Sequence, residues 1–416
     1  MSTATHLDHL PRRMAVVVFL AFALAYFFSA LVRAITATLS PTLTQEFQLS
    51  AQDLGLLAGG YFLGFSLTQL PLGRWLDRHG PKKVILAFLS VAVLGCLAFA
   101  KAESFHGLLA ARVLCGMGVS ACLMAPLTGY RRWFDAPTQL RTNSWMLMTG
   151  SFGMVAATLP VQWLMPIWGW RALFLMLGGM IALAMVLIAL LVPRWRSAPA
   201  AATSHGDDDG SYRLIWRNRY FWRMTPIGFF SYGGMVAIQT LWAGPWMTRV
   251  AGWTAQEAAT GLFVINLSML VSFWMWGLIT PRLARWGLRV DQLIAWGLPL
   301  TFGVLAFMVW QGPALGSAAA GTLAVFCVCS TFVALAQPAV GMAFPAHLAG
   351  RALSAYNLVI FAGIFVVQWG IGLAVDAGRA AGLDKPMAYQ VALAAFAVCS
   401  CVSWLYFVFS KSDQPR

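Results

Sequence analysis

The sequence predicts an all-α polytopic membrane protein, with twelve transmembrane helices in two pseudo-symmetric six-helix bundles. Three observations predict it. Of the 416 residues, 60% are hydrophobic and only 10% charged, where a soluble domain carries about 25% charged residues. Apolar runs of roughly 20 residues recur along most of the chain, each long enough to cross about 30 Å of hydrocarbon. These runs are too continuous for the short alternating strands of a barrel. Finally, the basic residues gather on one side of the spans.

The spans lie at roughly 14–37, 51–76, 83–101, 107–129, 143–166, 171–192, 224–248, 256–279, 292–311, 315–343, 351–375 and 387–409. The first is too long for a signal peptide and lacks a cleavage site. With the N-terminus in the cytoplasm, 21 of the 28 Lys and Arg fall inside. Five fall outside (Lys101, Arg171, Arg249, Arg379, Lys385), and Arg33 and Arg112 lie within spans. This is the positive-inside pattern, so both termini are expected in the cytoplasm. The net charge of +14 is therefore a topology signal, and nucleic acid is not an expected partner; the bilayer is. All seven cysteines fall inside spans without C-x-x-C spacing. They read as packing residues rather than disulfides or metal ligands.

Span 1, "ALAYFFSALVRAITATLSPTL", aligns Tyr26, Ser29, Arg33 and Thr36 at steps of three and four. An intramembrane arginine costs at least about 2.5–3.5 kcal/mol, so this face is expected to look into a wet cavity. Snorkelling of Arg33 to the surface, or bonding to backbone carbonyls, is the competing reading. At 1.5 Å per residue, Arg33 lies roughly 10 Å outward of the midplane and Arg112 of span 4 roughly 9 Å to the same side. Span 5 aligns Ser151, Thr158 and Gln162. Span 7 aligns Tyr232, Gln239, Trp242 and Trp246, and span 11 aligns Asn357, Phe361 and Gln368. Buried amides need partners, so these faces point to packing contacts or the cavity rather than lipid. For the aromatics, an interface belt or helix packing competes with a cavity role.

Between spans 6 and 7, residues 193–222 mix Pro, Ala, Ser, Gly and charge, and read as a cytoplasmic linker. It separates an N-terminal unit, 1–192, from a C-terminal one, 223–416. The run Asp207-Asp208-Asp209 beside His205 offers too few ligands for a metal. The two halves echo each other. Ser50 and Asp53 before span 2 match Thr254 and Glu257 before span 8, as S/T-x-x-D/E helix starts. "LRTNS" before span 5 resembles "GRALS" before span 11, and "VQW" occurs in both. Parallel repeats of this kind are one of the transporter designs, with the substrate site at the repeat interface.

The loop between spans 2 and 3 is "GRWLDRHGPKK". Gly73 lets helices approach closely, Gly80 permits a tight turn, and Asp77 can accept from Arg78 or sit at a helix N-terminus. The loop resembles the signature G-x-x-x-D-R-x-G-x-K/R-K/R of the major facilitator superfamily, with Gly73, Asp77, Arg78, Gly80, Lys82 and Lys83 in place and Pro81 a departure. "GLITPRLARWGLR", containing Arg282, is a weaker copy without the acid. Span 4 gives "RVLCGMG", similar to the family's R-x-x-x-G-x-G. The resemblance implies a bacterial inner-membrane carrier, a monomer without cofactor, working by alternating access. In that scheme Gly73, Asp77, Arg78, Gly80, Lys82 and Arg282 serve as gating residues.

The clear interior of the spans contains no Asp, Glu or His. An arginine facing a cavity without a carboxylate is a binding site for an anion. The expected function is therefore secondary or facilitative transport of a small organic anion, in the uptake direction. Its substrate contacts are expected among Arg33, Tyr26, Ser29, Arg112, Gln239, Trp242, Asn357, Gln162 and Gln368. Some anion-carrying members of the family place arginines in spans 1 and 7; here span 7 offers Gln239, which favours a weaker or singly charged anion. Coupling stays open between uniport, exchange, and a proton carried with the substrate or by an outer acid such as Glu46. An exporter of drug-like or siderophore-like compounds and a non-transporting sensor are the alternative readings. No paired acids, His cluster or nucleotide loop suggests an enzyme.

Overall fold

The computed structural model describes residues 10–193 and 208–410. The described residues are helical almost throughout and form the twelve-helix fold. Eight helical stretches among them are long and apolar enough on their own to cross a membrane. The other crossings are made by broken helices. Span 2 is Ala51–Leu67 plus the start of Gln69–Ala100, interrupted at Thr68. Span 5 breaks between Ala136–Ala156 and Leu159–Leu191. Span 7 carries two π-helical turns, Ile227–Tyr232 and Ile238–Trp242. Spans 9 and 10 run on through a 3-10 turn, Gly312–Ala318.

The crossing from span 2 to span 3 turns at Gly80, whose φ of 74° and ψ of 163° suit only glycine. A similar non-helical point at Gly169 separates span 5 from span 6. Span 1 runs from Arg12 to Phe47, well beyond the expected 37, because the more polar "TLSPTLTQEF" continues the helix out of the apolar layer. An even number of crossings puts both described chain ends on one face, the terminal face; the opposite one is the far face.

The repeated helix starts fold alike. The Ser50 hydroxyl accepts from the Asp53 amide while the Asp53 carboxylate accepts from the Ser50 amide. Thr254 and Glu257 do the same before span 8, Ala255–Arg285. These reciprocal bonds satisfy amides that a helix N-terminus leaves unpaired.

In the first half, span 2 packs on span 4, span 3 on spans 4 and 6, and span 1 on spans 5 and 6. In the second, span 7 packs on span 11, span 8 on span 10, and span 12 on spans 9 and 11. The halves meet along spans 2 and 11, 5 and 8, and 1 and 7. The described part of the expected linker is not irregular. Asp208–Arg217 is a helix, and Arg219–Pro226 begins span 7, capped by the Asn218 side chain. Arg223 and Tyr220 both bond the Asp291 carboxylate, at 2.6 and 2.9 Å, and tie the start of span 7 to that of span 9. His205 and Asp207 of the linker run lie outside the described residues.

Candidate functional site

A cavity of about 1970 Å³ lies between the halves and opens on the terminal face. Its walls come from spans 1, 2, 4 and 5 on one side and 7, 8, 10 and 11 on the other. Tyr26, Ala30 and Arg33 supply the span 1 wall. At 100° per residue these three stay within about 60° of one another. Ser29 and Thr36 are rotated to one side and are buried in helix packing, at 1% and 2% exposure. The expected polar stripe is thus split, and Ser29 is not on the cavity wall.

Arg33 sits at the closed end of the cavity. Its guanidinium carbon lies 5.8 Å from the centre of the Phe65 ring. Tyr61, Tyr26 and Tyr232 are its electrostatic neighbours. Its Nε is buried without a hydrogen-bond partner. Among the described residues that line the cavity the acid is Asp77, at the open mouth, and the ion pairs Arg171–Glu46 and Arg223–Asp291 lie far from Arg33. The cation therefore faces the cavity with aromatic rings around it and, among the described residues, no carboxylate opposite.

Arg112 departs from expectation. It is fully buried, its Nη1 donates to the Val32 carbonyl at 3.0 Å, and its guanidinium carbon lies 5.2 Å from the Tyr61 ring centre. Neither Arg112 nor Tyr61 lines the cavity. The cause is packing: glycine positions on span 4 press directly on the Tyr61 and Ala92 backbones, which fixes the phase of span 4 and turns Arg112 toward the seam with span 1. The carbonyl-bonding alternative for Arg33 describes Arg112 instead.

Two amide pairs face each other across the C-terminal wall. Gln239 donates to Asn266 at 3.0 Å, and Gln337 donates to Asn357 at 2.6 Å; all four line the cavity. Asn266 and Gln337 were missed by sequence reasoning, although both are amides inside apolar runs, the signal used for the others. Met, Leu and Trp side chains of spans 4, 5 and 8 supply apolar surface on the rest of the wall.

Trp242, Gln368 and Gln162 are not on that wall. The π turn Ile238–Trp242 holds an extra residue and rotates the helix beyond it. Trp242 Nε1 donates to the Gln368 carbonyl at 3.1 Å, and the Gln368 amide donates to Thr240 at 3.0 Å. Gln162 comes after the break at Thr158 and is not among the residues that line the cavity; Ser151, before the break, is on the wall.

Trp242 and Gln368 instead belong to the seal that closes the far face. The rings of Phe65 and Phe361 meet across the halves with centroids 4.1 Å apart and planes tilted by 32°. Beyond them span 2 presses on span 11, where a Cβ at Gly55 would collide with the Gln368 carbonyl. Outermost, the Asp376 carboxylate of span 11 accepts from the amides of Ala51 and Gln52, at 3.2 and 2.7 Å, and caps span 2 from the other half. Glu46 is held by Arg171 and Trp170, at 2.6 and 2.7 Å, away from the cavity.

The gating candidates lie at the terminal face. Gly73, Asp77 and Arg78 line the open mouth, with Arg131 and Arg351 across it. Gly80 makes the turn, and Lys82 donates to the Val192 carbonyl at 2.6 Å. Arg282 is exposed at the end of span 8.

The chain is 30% identical over 172 residues to the 4-hydroxybenzoate transporter PcaK of Pseudomonas aeruginosa, covering 40% of this chain and 37% of that one. It is 28% identical over 150 residues to the galacturonate transporter of Dickeya chrysanthemi, covering 36% and 44%. The chain thus aligns with about two fifths of the length of these curated relatives. Among solved structures, it resembles a bacterial homolog of the human lysosomal transporter Spinster, in an inward-facing and unoccupied conformation. The TM-score is 0.76 at 17% identity, over 96% of this chain and 98% of that one. The D-xylose-proton symporter gives a TM-score of 0.74 at 13% identity, over 96% and 100%. The profile of the Major Facilitator Superfamily matches residues 22–368, so this multi-pass membrane protein belongs to the major facilitator superfamily.

Proposed function

We propose that the protein carries a small organic anion across a bacterial inner membrane by alternating access, in the uptake direction. The observation that carries this reading is Arg33: a cation at the closed end of a large cavity with no carboxylate beside it among the described residues. An unpaired guanidinium is a strong, geometrically selective site for a carboxylate. Tyr26 and Tyr232 beside it offer hydroxyls, and the pairs Gln239–Asn266 and Gln337–Asn357 offer amides that can exchange one bond for one to cargo. The names of the relatives, transporters of 4-hydroxybenzoate and galacturonate, support a carboxylate cargo.

In this reading the units 1–192 and 223–416 are the rocking bodies, and the terminal face is cytoplasmic, in keeping with the distribution of Lys and Arg. The cavity then opens inward. In the outward-open state the loop of Gly73, Asp77, Arg78, Gly80 and Lys82 closes on span 11, and Arg282 on its counterpart. Glu46 is engaged by Arg171 and remote from Arg33, which removes it as a proton carrier beside the site. The machinery is a carrier, not an enzyme.

The test is uptake of radiolabelled 4-hydroxybenzoate, nicotinate and galacturonate into proteoliposomes under imposed pH and voltage gradients. Wild type is expected to accumulate at least one of them, and Arg33→Gln to lose uptake about 10- to 100-fold, the worth of a charge-assisted bond. Equal uptake by the variant would overturn the reading. An exporter of neutral aromatic compounds draws on the apolar wall of Met and Trp; it requires cargo binding indifferent to Arg33.

A further inference from the structure

A second depression, about 310 Å³, lies on the far face immediately outside the seal between spans 2 and 11. One side is formed by Thr44 of span 1 and Ser50 at the start of span 2. The other is formed by Arg249 of span 7, Arg379 of span 11 and Lys385 of span 12. Three of the five Lys and Arg expected outside are therefore gathered at one hollow. The positive-inside bias works against basic residues on this face, so their clustering from three separate spans is informative.

None of the three cations is in an ion pair among the described residues. Arg379 Nη1 donates to the Leu383 carbonyl at 2.7 Å, which orients it without neutralising it. The one acid on the wall, Asp376, has both oxygens engaged by the Ala51 and Gln52 amides of span 2. Asp384, next to Lys385, caps the start of span 12 through the Met387 amide. Three cations against one carboxylate leave the hollow net positive, and a concave surface with such an excess of one sign focuses the field and concentrates counter-ions about tenfold or more. Pro41, Pro245 and Tyr389 give the same hollow apolar sides.

We propose that this hollow is an outer anion-capture site. It holds the carboxylate of the cargo against the closed seal before spans 2 and 11 part. The proposal rests on the reading that the cargo is an organic anion, but it concerns different residues from the central cavity.

The experiment uses the purified full-length protein with Thr44→Cys as a reporter on the wall, the reaction of the parent protein being subtracted. Labelling rates are measured with anionic and cationic methanethiosulfonates and expressed relative to a free thiol. At low salt the anionic reagent is expected to be favoured about tenfold, and the preference to fall toward one in R249Q/R379Q/K385Q or at high salt. Either 4-hydroxybenzoate or galacturonate is expected to slow labelling, while 4-hydroxybenzamide and galactose do not. That protection is expected to persist in Arg33→Gln. Absence of an anionic preference, its survival in the triple variant, or no protection by either carboxylate would overturn the site. Protection that vanishes in Arg33→Gln would put the ligand in the central cavity and overturn it as well. Failure of the central reading alone shows differently: Arg33→Gln then transports normally while the outer preference remains.

Discussion

Arg33 and Arg112 show how far one residue type can be read from sequence. Both were legible as anomalies, because a guanidinium inside an apolar run is too costly to be incidental. Their surroundings were not, because the direction of a side chain depends on the phase of its helix against neighbours that the sequence does not specify. Span 1 turns Arg33 to the cavity; span 4, pressed on Tyr61 and Ala92, turns Arg112 to the Val32 carbonyl. The two arginines should therefore respond differently to substitution. Arg112→Met keeps most of the volume but loses the bond to Val32, so it is expected to lower Tm by several degrees. Carboxylate affinity of the folded protein should stay within about twofold, since the residue is sealed from the cavity. Thermal unfolding and equilibrium binding on the same preparation check both halves of this expectation.

Among the elements, the regular spans were legible and the broken ones misled. Apolar length located the crossings, and the S/T-x-x-D/E starts of spans 2 and 8 folded as capping boxes. The π turns of span 7 and the break at Thr158 carry no comparable signature, which is why helical spacing alone did not separate Trp242 and Gln162 from the residues that line the cavity. Nor could sequence pair Asp376 with a helix start 325 residues away. That contact is a cap supplied across the halves, so parting spans 2 and 11 in the proposed cycle breaks it. A helix cap is worth about 1 kcal/mol, roughly a fivefold change in a two-state ratio. Asp376→Ala is therefore expected to shift the population toward a far-face-open state by about that factor. Spin labels at Gln48 and Ala381, both exposed on that face, should report a longer distance by double electron–electron resonance. Gly55→Val acts on the same seal, since its side chain would meet the Gln368 carbonyl. It is expected to lengthen the same distance; an unchanged distribution in both variants would show that the seal does not depend on these contacts.

For the whole molecule, the twelve-helix architecture was legible in the composition, and the internal repeat anticipated two halves with a cavity between them. In the proposed reading, the charge balance of that cavity sets its chemical preference. Its mouth carries both signs, through Asp77, Arg78, Arg131 and Arg351, while its closed end carries Arg33 alone. Matched ligand pairs test this most directly: 4-hydroxybenzoate with 4-hydroxybenzamide, nicotinate with nicotinamide, and galacturonate with galactose. Each is titrated calorimetrically into wild type and Arg33→Gln. The account predicts that for at least one pair the carboxylate binds wild type about 10- to 100-fold more tightly than its neutral partner, and that this preference disappears in Arg33→Gln. Neutral partners binding wild type as well as the carboxylates, or a carboxylate preference undiminished in the variant, would contradict it.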